Sequence, residues 1–213
     1  MIRQKKIIVL TEAVVCSLCL MVFSFFIQYN FPEQIIAFAA LLVAAFFISK
    51  NIKTANDVKR IFGGKTSNRK LFLLLLFGTL TGIMLAIPYR IYHHWGFFPK
   101  SFQYFTIIAA TIGCTEELVY RGFLQEFVKE INGTFSILFS TISHTGYKFF
   151  LFLAPVIAEN IDYKILFFWT FGIGLLFGTT RHYTKSIWFP LVAHVIFDVL
   201  SYAEFIRSPW WVW

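Results

Sequence analysis

Apolar residues fall along this chain in blocks about as long as a membrane-spanning helix, roughly 20 residues, separated by short polar punctuation. Seven blocks can be drawn, at roughly 7–28, 33–49, 71–92, 102–127, 132–153, 164–181 and 187–206. The cuts coincide with Asn30-Phe31-Pro32, Gly63-Gly64, Pro99, Asn132-Gly133 and Pro155, residues that turn or stop a helix. The pattern predicts an all-α fold, a polytopic transmembrane helical bundle of about seven spans, with six to eight compatible with the tolerance of such boundaries. Residues 1–213 form a single integral membrane domain in this reading. The one sizeable polar stretch runs from Lys50 to Lys70, and there is no internal repeat of useful strength.

Composition agrees with lipid as the solvent. Hydrophobic residues make up 58% of the chain, aromatics 20% and charged residues only 14%, too few to cover a soluble surface of this size. The net charge of +8 belongs with the bilayer and its anionic head groups, because the basic residues collect at the ends of apolar blocks. They form no basic stripe with interleaved aromatics, so no nucleic-acid partner is expected. Cys16, Cys19 and Cys114 all lie inside apolar blocks, where a disulfide framework is not expected. The Cys16-x-x-Cys19 spacing reads as core packing. Met1 to Lys6 followed by the first block resembles a signal sequence, but the block is span-length and lacks a small-residue cleavage site, which favours a retained signal-anchor helix.

Basic residues in the short loops set the orientation. With the N-terminus cytoplasmic, thirteen Lys and Arg fall on that side, including Arg3, Lys5, Lys6, the Lys50–Lys70 stretch, Lys129, Arg181 and Lys185. Four fall opposite: Arg90, Lys100, Lys164 and Arg207. The expected location is the cell membrane. Tyr92, Trp95, Trp188, Trp210, Trp211 and Trp213 lie near the predicted interfaces.

Anchoring does not explain the ionisable residues within the blocks. The fourth contains Glu116, Glu117 and Arg121, and each such group at mid-membrane costs roughly 2.5–3.5 kcal/mol on insertion scales. Glu117 and Arg121 are four apart, acid before base, which is the favoured helical order. Glu116 points about 100° away and needs another partner. The fifth block carries His144, and the seventh carries His194 and Asp198, again four apart. Intramembrane ionisable groups turn inward and pair, so these residues are expected to converge in one polar pocket. There a water held between Glu116 and His144 could attack a carbonyl carbon, with His194 donating to the oxyanion. Two histidines with carboxylates also suit a divalent metal such as zinc, with Glu116, His144, His194 and Asp198 as candidate ligands. The sequence leaves both routes open.

The order Glu116-Glu117-x-x-x-Arg121, then a histidine, then His194-x-x-x-Asp198 resembles the CPBP family of membrane-embedded proteases. That family includes CAAX prenyl endopeptidases, bacteriocin-processing enzymes and Abi proteins. The resemblance runs from about Phe102 to Ile206 and extends to Arg121-Gly122-Phe123-Leu124, the glycine-rich Phe171-Gly172-Ile173-Gly174-Leu175 and Ser186-Ile187-Trp188. It implies an intramembrane endopeptidase acting on a membrane-associated peptide or protein, lipidated in some members. Glu116 would be the catalytic glutamate, His144 the water-activating histidine, and His194 with Asp198 the oxyanion-stabilising pair. Glu117 and Arg121 would support them. Two positions depart from the pattern: Ser140 stands where phenylalanine is usual, and Asp198 where asparagine is common. An ionised aspartate cannot donate to an oxyanion.

Two other functions compete with this expectation. One is a non-catalytic member of the same fold, such as a bacteriocin-immunity or partner-binding protein. The other is a proton or ion transporter, disfavoured by the lack of an inverted repeat. Outside the cluster, His93 and His94 read as solvated loop residues and His182 as interfacial. Glu12 reads as a residue that snorkels to the cytoplasmic face. The glycines at 172, 174 and 178 are expected to permit close helix approach.

Overall fold

The computed structural model describes residues 2–64, 66–153 and 162–205; Lys65, Pro155, Ile206, Arg207, Trp210, Trp211 and Trp213 lie outside the described residues. All regular structure among those described is helical. In chain order it comprises α1 (Ile2–Phe26), α2 (Gln34–Asn51), α3 (Ala55–Phe62), α4 (Asn68–Tyr92) and α5 (Phe105–Glu117). A π-helical stretch (Leu118–Leu124) follows, then α6 (Gln125–Val128), α7 (Gly133–Leu153), α8 (Tyr163–Thr184) and α9 (Trp188–Ser201). Each apolar block of the sequence coincides with a helical rod, α5, the π stretch and α6 together making one. Four of the rods, α1 from Gln4, α2, α4 and α8, are long and apolar enough to cross a membrane. The rod from α5 to α6 and helix α7 carry polar residues that lower their apolarity, and α9 is a shorter apolar helix of 14 residues.

The Lys50–Lys70 stretch is not all loop. It contains α3, opened by a reciprocal cap in which Thr54 accepts from the Asp57 N–H and the Asp57 carboxylate accepts from the Thr54 N–H at 2.8 Å. Gly63 closes it at φ +93°, where a Cβ would fall 2.0 Å from the Lys185 carbonyl oxygen. The turn before α9 therefore packs directly on the end of α3.

Neighbouring rods pack α4 on α9, α1 on α2, α7 on α8, α5 on α9 and α1 on α7. Within lipid such contacts depend on small residues that let backbones approach. At Gly82 of α4 a Cβ would meet the Ala193 carbonyl of α9 at 2.6 Å. Gly174 and Gly178 of α8 lie against Thr141 and Ile137 of α7 in the same way, whereas Gly172 faces open space, so the expected close approach fails at that one position.

Charged groups collect at the two ends of the bundle. At one end Lys5 pairs with Glu130 at 3.1 Å, Arg181 donates to the Arg60 carbonyl at 2.8 Å, and Lys70 donates to the Thr184 carbonyl at 2.7 Å. Glu12 pairs there with Lys50. Arg181 is buried, and His182 is half-buried against Gly133. At the other end Arg90, also buried, donates to the carbonyls of Gly96 and Leu200 and to Glu204, each at 2.8 Å. His93 and His94 are exposed there, with His93 stacked on Trp95.

Candidate active site

Glu116 and Glu117 are the last residues of α5, and the helix widens to π geometry immediately after them. A π turn inserts a residue into the helical register and recurs at functional sites. Here the Tyr120 carbonyl accepts the N–H of Gln125, and it also accepts the Ser140 hydroxyl of α7 at 2.9 Å. Ser140 thus ties α7 to the widened turn, a bond that phenylalanine at this position could not make. Gln125 secures the other side by donating to the Gly178 carbonyl of α8 at 2.7 Å. With its register fixed, the rod presents its two glutamates to α7 and α9.

The predicted residues do come together. Glu116 Oε2 lies 3.0 Å from His144 Nε2 and 3.7 Å from His194 Nε2. His194 Nδ1 meets Glu117 Oε1 at 2.9 Å, and its Nε2 lies 3.7 Å from Asp198 Oδ2. Arg121 Nε is 3.5 Å from Glu117 Oε2, both residues being fully buried. Glu117 therefore does more than pair with Arg121: by accepting the Nδ1 proton it orients the His194 ring. With that proton committed, Nε2 of His194 donates to an oxyanion only when the ring is doubly protonated. The direct Glu116–His144 contact leaves no room for a water between them. An attacking water would sit beside the pair, because each carboxylate oxygen keeps a further lone pair.

Lys148 completes the cluster and was not among the residues expected from the sequence. One turn beyond His144 on α7, it places Nζ 2.5 Å from Glu116 Oε1. It is an ion pair by distance; Glu116 Oε1 and Glu117 Oε2 receive no aligned hydrogen bond from the described residues. Three carboxylates are thus held by two cations and two imidazoles. Close packing brings Asp198 in: at Gly113 of α5 a Cβ would lie 2.2 Å from Asp198 Oδ2 and 3.1 Å from the His194 ring.

As a metal cage the arrangement does not fit. Among the described residues no three His, Cys, Asp or Glu side chains converge with ligand spacing. Both imidazole Nε2 atoms address one oxygen of Glu116, and the Lys148 ammonium stands at the other.

Beside the cluster opens a cavity of about 140 Å³ between α4, α5, α7, α8 and α9. His144, Lys148, His194 and Asp198 form its polar edge, and the rest of the wall is largely apolar, with Ile112, Leu151, Leu166 and Phe177 among its residues.

Several apolar helices of membrane length mark this as an integral membrane protein, and its described residues hold a buried carboxylate–imidazole cluster. Residues 98–200 match the model of the type II CAAX prenyl endopeptidase Rce1-like family. That segment, just under half of the chain, holds every member of the cluster and is similar to this family of membrane proteases, in accord with the CPBP resemblance of its motifs. No curated protein and no solved structure matches the chain significantly.

Proposed function

We propose that this protein is an intramembrane endopeptidase that hydrolyses a peptide bond of a membrane-associated substrate, with Glu116, His144, His194 and Asp198 as its catalytic residues. The observation that carries the reading is the contact of Glu116 with both histidines at the edge of an apolar cavity. In this mechanism a water beside the Glu116–His144 pair gives its proton to Glu116 as its oxygen bonds to the scissile carbonyl carbon. His144 holds the carboxylate through Nε2–H. Doubly protonated His194, oriented by Glu117, donates Nε2–H to the oxyanion. As the C–N bond breaks, Glu116 passes its proton to the departing amine and returns to a carboxylate. Asp198 orients His194, and Arg121 holds Glu117. No step requires a metal.

The catalytic core spans about 102–206 within one membrane domain of residues 1–213. The full bundle has about seven spans, with the N-terminus and the Lys5, Arg60 and Arg181 end in the cytoplasm of a cell-membrane protein. That end gathers the larger share of the basic residues, as short cytoplasmic loops do. The apolar cavity suits a peptide presented from lipid, including a lipidated one. Purified protein in liposomes should cleave a membrane-anchored peptide, and Glu116→Gln should remove that activity without unfolding the protein. Unchanged turnover in that variant would reject Glu116 as the base.

A further inference from the structure

An imidazole at a reaction centre keeps one tautomer when the nitrogen remote from the chemistry is held by a second group. For His194 that group is Glu117, which meets Nδ1 at 2.9 Å. Nδ1 of His144 is buried and has no hydrogen-bond partner among the described residues. With Nε2–H directed to the Glu116 carboxylate at 3.0 Å, this Nδ1 carries a lone pair and needs a donor. Buried polar atoms are seldom left without one.

Tyr120 stands four residues beyond Glu116 on the same rod, hence on the same face. Its ring packs on the His144 ring, with centroids 4.7 Å apart and planes tilted by 40°. The Tyr120 hydroxyl is buried and has no partner among the described residues, although a buried phenol normally finds one. The two atoms are complementary, a hydroxyl with a proton to give and a nitrogen able to accept it. Thr141 and Thr145 of α7 also carry buried hydroxyls without a described partner. Thr141, however, lies against Gly174 of α8, and Thr145, next to His144 in the chain, leaves the helix about 100° away from it.

We propose that Tyr120 is a positioning residue whose hydroxyl donates to Nδ1 of His144 and so keeps Nε2–H on Glu116. One bridging water, or a modest swing of the two rings, joins the atoms, and both routes give the same donor and acceptor. The opposite tautomer would turn a lone pair toward the carboxylate and loosen its hold. The kinetic consequence rests on the endopeptidase reading above; the tautomer does not.

Nitrogen NMR of the full chain in detergent, labelled in the histidine rings, tests the proposal. The His144 signals are those lost in His144→Ala. Wild type should show the Nε2–H tautomer with a hydrogen-bonded Nδ1. Tyr120→Phe keeps the ring and removes the hydroxyl, so the Nδ1 signal should move toward that of a free acceptor and the other tautomer should appear. A fluorinated tyrosine at position 120, a stronger donor, should move the signal the opposite way. In liposomes Tyr120→Phe should lower kcat by about two- to tenfold, the scale of one neutral hydrogen bond. KM should hold, since Tyr120 is not among the residues lining the cavity. His144 signals indifferent to the hydroxyl would overturn the proposal, even if the melting temperature fell. So would a response to Thr141→Val or Thr145→Val in place of Tyr120→Phe. The expected NMR changes without cleavage by any variant would support the positioning role and count against the endopeptidase reading instead.

Discussion

Glu116 stands at the centre of the cluster: His144, His194 and Lys148 all address its two oxygens. Removing its basicity while keeping its shape should therefore separate chemistry from architecture. Glu116→Gln is expected to lose about 10²–10⁴-fold in rate, the range of general-base catalysis, with its melting temperature in detergent close to wild type. His144→Ala should also abolish measurable cleavage while leaving the fold intact. Asp198 calls for a finer comparison. Asparagine keeps the shape of the side chain and can still contact His194 through its amide. Asp198→Asn should stay within about tenfold of wild type, a loss no greater than one ordinary hydrogen bond, while Asp198→Ala should fall further in initial-rate assays. The convergence of Glu116, His144, His194 and Asp198 was legible because ionisable groups in apolar blocks must find one another. Lys148 was not, since a lysine near the end of a span reads as a snorkelling cation. Its spacing of four from His144 was the available signal.

At the level of elements, the site depends on how closely α5 and α4 approach α9. Gly113→Ala would place a methyl group against the Asp198 carboxylate, so its activity should fall well beyond any loss of stability. Gly82→Ala presses instead on the α9 backbone. It should destabilise the protein by about 1–3 kcal/mol, as overpacking does, which thermal denaturation in detergent would reveal. Gly172→Ala, facing open space, is the control expected to leave both properties unchanged. The long helices could be read from apolar block length alone. The π stretch could not, because one inserted residue leaves a block just as apolar while changing which carbonyl each N–H meets. Ser140 was visible as a departure from the family pattern, but its bond to Tyr120 required the structure. Helix α3 was not anticipated within the polar Lys50–Lys70 stretch, although Thr54 and Asp57 stand at the spacing of its reciprocal cap.

Among the described residues, paired charges gather in two end clusters and the buried site, and each should respond to different conditions. The clamp of Arg90, Lys100 and Glu204 holds the Glu204 carboxyl below its ordinary value of 4.5, first through the Arg90 hydrogen bond and then through the Lys100 N–H. A carboxyl lowered in the folded state stabilises the protein above its unfolded value and loses that contribution as pH falls through the folded one. The melting temperature of wild type should therefore exceed that of Glu204→Gln at neutral pH, and the gap should close as pH drops below 4.5. The buried site should respond to substitution of Glu116 and be indifferent to chelators. The most direct measurement is mass-spectrometric detection of cleavage of a membrane-anchored peptide in proteoliposomes by wild type and Glu116→Gln, before and after exhaustive chelation. The proposed mechanism predicts cleavage by wild type that survives chelation and is absent from the folded variant. Equal cleavage by both proteins, or a Glu116-dependent proton flux with no cleavage at all, would contradict it.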